Sequence, residues 1–177
     1  DKNLADSEEM LGLLTGNGHE IVDSEEEADA IVINTCCFIH DAKEESVNTI
    51  LEMAEYKKTG TCKILIVTGC MAQRYKEEIT EEIPEVDAVL GTTSYGDIVK
   101  ALNEAEAGHV FQEFKDINAL PEDSGRRVIT TGGHFGYLKI AEGCDKHCTY
   151  CIIPSLRGKF RSVPEERLLK QAEYMAS

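Results

Sequence analysis

The chain has 177 residues, of which 42% are hydrophobic and 29% are charged, and its formal net charge is −15. This length allows one domain, or one domain and part of another, and the composition excludes disordered and collagen-like chains. The longest aliphatic runs, at 30–33 and 64–67, have only four residues, whereas a membrane helix needs about 20. We therefore expect no membrane span and no export signal, and a cytoplasmic protein.

The charge is distributed unevenly along the chain. Residues 1–130 carry 28 acidic and 11 basic side chains, whereas residues 131–177 carry 5 acidic and 7 basic side chains. An acidic surface repels phosphate groups, so we expect no nucleic-acid binding through the N-terminal part and better tolerance of a basic partner. A solvated surface without any partner is the alternative explanation of this charge.

The hydrophobic pattern alternates between helices and strands up to Gly108. Asp6 is placed to cap a first helix that ends near Gly16. The later segments alternate in type, with buried strands predicted at 30–34, 63–68 and 86–90 and helices at 41–58, 73–82 and 97–107. This order predicts an α/β fold with a doubly wound parallel sheet, whose first strand would precede Asp1.

Residues 111–133 contain turn residues and little periodicity, which predicts a connector. Beyond it the pattern predicts a strand at 134–141, a loop at 142–158 and a helix at 164–175. One strand and one helix are too little to bury a core, so this unit is expected to be the start of a larger domain. We accordingly predict two domains, at 1–125 and 126–177.

Three of the seven cysteines lie within eight positions. Without an export signal, thiols are metal ligands or reactive groups more often than disulfides. Cys144, Cys148 and Cys151 form a C-x3-C-x2-C motif, and three thiolates can hold a four-iron cluster while one iron stays open. A closed zinc site that adds His147 is the alternative, although adjacent residues such as His147 and Cys148 rarely bind the same ion.

Two more cysteines follow predicted strands directly. Cys36 comes after the strand at 30–34, and Cys70 comes after the strand at 63–68. Neighbouring parallel strands end at the same edge about 4.8 Å apart, where open α/β sheets bind ligands, so these thiols are expected to meet. Two buried free cysteines are the alternative, and Cys62 is expected to be a packing or surface cysteine.

Five basic residues near these motifs could contact an anion, but solvated charge is the default interpretation. They are Arg126, Arg127, Arg157, Lys159 and Arg161.

The motif C-x3-C-x-aromatic-C, with Tyr150 as the aromatic residue, resembles the signature of radical S-adenosylmethionine enzymes. This resemblance implies that Cys144, Cys148 and Cys151 hold a [4Fe-4S] cluster. Its open iron would bind S-adenosylmethionine, and one electron would then generate a 5′-deoxyadenosyl radical. The resemblance also implies that Tyr150 binds this cofactor near its adenine; a core aromatic residue is the alternative.

The segments DKNLADSE at 1–8, NTC at 34–36 and TGCMAQR at 68–74 precede this motif, in the order typical of methylthiotransferases, which the chain resembles over nearly all its length. The resemblance implies an N-terminal α/β domain followed by the start of a radical α/β barrel, truncated at residue 177. It also implies an auxiliary [4Fe-4S] cluster on three cysteines. Cys36 and Cys70 match two of them, and the third would precede Asp1. Two departures are Cys37, where glycine is common, and Val163, where a basic residue is usual.

Four further segments favour the branch that modifies a ribosomal protein, the RimO type: FI at 38–39, AKEES at 42–46, YLKIAEG at 137–143 and LRGKFRS at 156–162. This implies a parent enzyme that methylthiolates an aspartate β-carbon in the twelfth small-subunit ribosomal protein. It would use S-adenosylmethionine, two [4Fe-4S] clusters and a reductant protein such as flavodoxin or ferredoxin. A transfer-RNA adenosine methylthiotransferase and a non-catalytic iron-sulfur or zinc module are the alternatives. Residues 1–177 alone are expected to be inactive.

Overall fold

The computed structural model describes residues 2–122 and 124–176. Seven α-helices lie in these residues, together with one short 3-10 helix at Tyr95–Asp97. The α-helices are α1 (Lys2–Gly16), α2 (His40–Thr59), α3 (Cys70–Arg74), α4 (Lys76–Glu82), α5 (Ile98–Glu106), α6 (Ile153–Arg157) and α7 (Glu165–Ala176). Six strands lie there as well: β1 (Ala30–Thr35), β2 (Ile64–Gly69), β3 (Ala88–Leu90), β4 (Phe111–Glu113), β5 (Ala141–Glu142) and β6 (Arg161–Ser162). Among the helices so described, none is long and apolar enough to cross a membrane.

The first four strands form one parallel sheet in the order β1-β2-β3-β4. Alternate side chains of β2 point to opposite faces, and both faces are covered. Leu65 and Val67 pack in the cluster that includes residues of α2, α3 and α4. Ile64 and Ile66 pack in the cluster that includes residues of α1 and α5. The doubly wound α/β fold is confirmed. Leu65, Ile66 and Val67 of the inner strand β2 are fully buried, so both faces of the sheet are shielded from solvent there.

The prediction that Asp6 caps the first helix is wrong. Helix α1 begins at Lys2, so Asp6 lies inside it and is 3% exposed. Asp6 shares an i, i+4 and i+7 stripe with Met10 and Leu13, and that stripe faces the protein. A carboxylate in such a place requires buried partners, and the chain supplies them from residues 139 and 157.

The single helix predicted at 73–82 is two helices. The break is at Tyr75, whose φ of −121° and ψ of 36° are not helical. The Tyr75 ring packs against the core, with the Lys43 ammonium 4.4 Å from its centroid. The first of the two helices starts at Cys70, directly after β2, so no loop separates this cysteine from the sheet.

The region beyond residue 110 differs most from expectation. Phe111–Glu113, placed in the connector by its sequence, is the fourth parallel strand, because it pairs with β3. The strand expected at 134–141 is reduced to Ala141–Glu142, which pairs with β6 in an antiparallel ladder. Residues 134–140 are not strand, although the Ile140 carbonyl accepts from the Val163 amide at 2.9 Å. Asp123, also assigned to the connector, lies outside the described residues. The boundary between 125 and 126 stays a prediction.

Candidate functional site at the sheet edge

Cys36 and Cys70 lie at the carboxyl edge of the sheet, as predicted. Thr35 and Gly69 are register partners at the ends of β1 and β2, and each cysteine is the next residue. Ser46 of α2 fixes Cys36: its hydroxyl accepts from the Cys36 amide at 3.0 Å and donates to the Cys36 carbonyl at 2.9 Å. The backbone around the first thiol is therefore held from both sides.

Gly69 sets the direction of the chain into Cys70. Its φ is +94°, in the region that favours glycine. A Cβ at this position would lie 2.5 Å from the Asn34 side-chain oxygen and 2.5 Å from the Thr35 carbonyl oxygen. The sharp turn from β2 into α3 therefore needs glycine for both conformation and space.

The Cys70 thiol is completely buried. The guanidinium of Arg157 donates from Nε to Cys70 Sγ at 3.4 Å. Burial raises the pKa of the Cys70 thiol above its ordinary value, and the charge of Arg157 opposes this shift while that of Cys36 adds to it. Burial likewise raises the pKa of Cys37 to about 11, with a further contribution from Cys70. Burial therefore favours the neutral thiol at both Cys37 and Cys70.

The other predicted site lies on the loop between β5 and α6. The amide of Cys144 donates to the Gly158 carbonyl at 3.1 Å, and the amide of Cys151 donates to the Cys148 carbonyl at 2.9 Å. His147 between them adopts a positive φ of 46°. All three cysteines are free thiols; Cys148 is exposed, and the other two are partly exposed.

Tyr150 is 90% exposed, so it does not pack in the core formed by this chain. Cys62 is buried, and its sulfur lies 3.3 Å from the Ile64 carbonyl oxygen, so it is a packing residue. Within residues 2–122 and 124–176, no three His, Cys, Asp or Glu side chains converge in a group that could hold a metal ion. The donors at both sites are nonetheless thiols, which fit an iron-sulfur cluster in kind.

Two basic residues interpreted as solvated charge are buried. Arg157 is 3% exposed and pairs with Asp6 at 2.9 Å. Arg127 is 5% exposed, and its Nη2 lies 2.6 Å from the carboxylate of Glu8. The sequence carried one signal for these pairs: Asp6 and Glu8 lie in a helix whose neighbouring turns are apolar, so inward-facing acids would need cationic partners.

Comparison with known proteins identifies the family. Residues 1–91 match the model of "Uncharacterized protein family UPF0004". The chain belongs to this family. It is 63% identical over 176 residues to the ribosomal protein uS12 methylthiotransferase RimO of Lachnoclostridium phytofermentans, 50% identical over 175 residues to that of Clostridioides difficile, and 48% identical over 182 residues to that of Acetivibrio thermocellus.

Each of these alignments covers 99% of this chain but only 39–40% of the relative. The chain therefore spans about 40% of the length of the curated relatives it matches. The resemblance to methylthiotransferases, and within them to the RimO type, is confirmed. The family match ends at residue 91, so it includes the sheet edge with Cys36 and Cys70 but not the loop with Cys144, Cys148 and Cys151.

Proposed function

We propose that the full-length protein methylthiolates an aspartate β-carbon of ribosomal protein uS12. The full-length protein is one that contains this chain and has the length of its curated relatives. One observation carries this proposal: helix α6, which follows the loop with the C-x3-C-x2-C motif, contacts the sheet edge that holds Cys36 and Cys70, because Arg157 Nε donates to Cys70 Sγ at 3.4 Å. The contact occurs in a chain that is 63% identical to a protein named uS12 methylthiotransferase.

The target bond explains why a cofactor is required. An aspartate β-carbon carries an unactivated C–H bond, which a side-chain base does not deprotonate at neutral pH. When bound, a [4Fe-4S] cluster and S-adenosylmethionine would supply the radical chemistry for this bond, and a second S-adenosylmethionine the methyl group. Cys144, Cys148 and Cys151 would hold that cluster. Their loop is accessible from solvent, so a cluster and a small cofactor can reach the sulfurs.

Two further sets of residues have assigned roles in the proposal. Tyr150, next to Cys151 and almost fully exposed, would contact the bound cofactor through its ring. Cys36 and Cys70 would supply two ligands of an auxiliary [4Fe-4S] cluster that carries or delivers sulfur. Their position at the carboxyl edge supports this role, because open α/β sheets bind their ligands at that edge.

The substrate and the reductant are also part of the proposal. Residues 1–130 carry 28 acidic and 11 basic side chains, which suits a basic ribosomal protein better than a phosphate backbone. A small electron-transfer protein such as flavodoxin or ferredoxin would reduce the cluster. Ribosomal proteins are made in the cytoplasm, so the enzyme would act there.

Product identification tests the proposal. The full-length protein is reconstituted anaerobically with iron and sulfide, then given S-adenosylmethionine, reductant and either uS12 or transfer RNA. Mass spectrometry should find a methylthio group on one aspartate of uS12 and none on the RNA. Modification of RNA alone would overturn the substrate while keeping the chemistry. No product despite bound iron would leave a non-catalytic iron-sulfur protein.

A further inference from the structure

A buried network of four charged side chains joins helix α1 to the part of the chain beyond residue 130. Asp6, Lys139, Glu142 and Arg157 are each no more than 7% exposed at their side chains. Lys139 pairs with Asp6 and, at 3.0 Å, with Glu142. Arg157 pairs with the same two acids at 2.9 and 3.5 Å. These four buried side chains carry two positive and two negative charges, and the partly exposed Lys2 adds a third cation at 3.5 Å from the Glu142 carboxylate.

The network holds both ends of residues 143–158, which are the cysteine loop together with helix α6. Glu142 immediately precedes this segment, and Arg157 is the last residue of α6. The ladder between β5 and β6 closes the loop, because Glu142 is the register partner of Arg161. The loop that carries Cys144, Cys148 and Cys151 is thus anchored to α1 through its two ends.

Arg157 also contacts the other cysteine site. Its three nitrogens have three different partners: Nε donates to Cys70 Sγ at 3.4 Å, Nη1 to Asp6 at 2.9 Å and Nη2 to the Asn3 side-chain oxygen at 2.8 Å. Only the planar fork of a guanidinium provides these directions from one side chain; a lysine ammonium is a point charge. The same residue therefore touches the sheet edge, helix α1 and the loop.

The free-energy balance of the buried ion pairs indicates that Arg157 has a role other than stabilising the fold. Burying paired charges costs desolvation energy that their attraction barely offsets, and an apolar replacement of similar volume is often as stable. Arg157 reaches the Cys70 sulfur, which is 0% exposed. An apolar side chain would supply neither a hydrogen bond to that sulfur nor a fixed orientation of the loop.

We propose that Arg157 is a positioning residue that joins the two cysteine sites, by donating to the Cys70 sulfur while holding the loop at 143–158 against helix α1. This inference rests on the proposed function, since it assigns Cys70 to a cluster. It predicts that the environment of Cys70 and the order of the loop change together when Arg157 is altered.

The first test uses the full-length protein before any metal is added and does not depend on any cluster. Native alkylation is followed by residue-resolved mass spectrometry, with the exposed Cys148 as internal reference, and amide hydrogen exchange is followed over 143–158. Arg157→Lys keeps the cation but not the fork. We expect about tenfold faster labelling of Cys70, the change produced by losing about 1.4 kcal/mol of local protection, together with faster loop exchange.

Lys159→Gln is the matched control, because it removes an exposed positive charge two residues away and should change neither measurement. Arg157→Gln, checked for folding by circular dichroism, should change both at least as much as Arg157→Lys. Unchanged Cys70 labelling in Arg157→Lys, or labelling that rises without faster loop exchange, would overturn the inference.

The second test separates a positioning role from a merely structural one. In the reconstituted full-length protein, the reduction potential of the cluster on Cys70 is measured by a titration followed by electron paramagnetic resonance. A donor to a ligand sulfur stabilises the more negative reduced state, so Arg157→Lys should lower the potential and Lys159→Gln should not. An unchanged potential with intact clusters would refute the positioning role alone. Wild-type protein without iron would refute the proposed function, and the labelling test would then decide the inference.

Discussion

Replacing Glu8 by Gln should cost a large share of the stability of the fold. The Glu8 side chain is 0% exposed and accepts four hydrogen bonds. Arg127 donates to Oε2 from Nε at 2.9 Å and from Nη2 at 2.6 Å. Thr130 donates to Oε1 from its amide at 2.8 Å and from its hydroxyl at 2.9 Å. Glutamine would keep one acceptor and turn an NH2 group toward donors.

The expected loss follows from the charge left behind. Breaking a buried ion pair by removing one partner costs about 3–5 kcal/mol, against a total stability of about 5–15 kcal/mol for a domain. Urea unfolding at pH 7, followed by circular dichroism, measures this loss. The control is Glu55→Gln, which removes an exposed partner of Lys58 and should leave the unfolding free energy unchanged.

The pH dependence provides a second check. Burial alone would raise the pKa of Glu8, but the hydrogen bonds from Thr130 and Arg127 outweigh it and hold this pKa below its ordinary value. The stabilisation is therefore complete above the ordinary value of 4.5 and is lost as the pH falls through the lower folded-state value. The difference between wild type and Glu8→Gln should shrink in that acid range. A loss below about 1 kcal/mol at pH 7 would refute the reasoning.

Two further substitutions test local features. Gly69→Ala should destabilise the protein by about 2 kcal/mol or more. The control is Gly18→Ala, which should cost less in thermal unfolding, because both glycines have a positive φ but of the two only Gly69 lacks room for a Cβ. Equal losses would contradict the steric argument. Glu9→Gln should stabilise the protein by about 1 kcal/mol at pH 7. Burial raises the pKa of Glu9, so the ionised side chain destabilises the folded state as the pH rises above the ordinary value of 4.5. The stabilisation by Glu9→Gln should therefore vanish below pH 4.5; a stabilisation that persists there would show that the carboxylate charge is not its cause.

The strands of the sheet that consist of apolar residues could be predicted from the sequence. The segment around Leu65 is buried on both faces, and the segment around Ile31 is buried on one face and partly covered on the other. Such apolar runs are visible in the sequence. The strand Phe111–Glu113 contains one apolar residue, and its pairing with β3 comes from the fold around it. A short strand without an apolar run leaves no signal in the sequence.

The candidate site was predictable in part for a similar reason. Cys36 and Cys70 follow two apolar strands, so topology alone places them at one edge. The partnership of Asp6 with Arg157 spans 151 positions. No local pattern specifies which cation satisfies a buried acid. The sequence could have indicated that Asp6 faces inward, but only the structure identifies its partners.

Metal analysis of the reconstituted full-length protein tests the central claim most directly. Two [4Fe-4S] clusters correspond to about eight iron atoms per chain. The triple variant Cys144→Ala, Cys148→Ala, Cys151→Ala should lose about half of the iron and sulfide, and the double variant Cys36→Ala, Cys70→Ala should lose the other half. Stoichiometric zinc without iron, or full iron retention in the triple variant, would contradict the account.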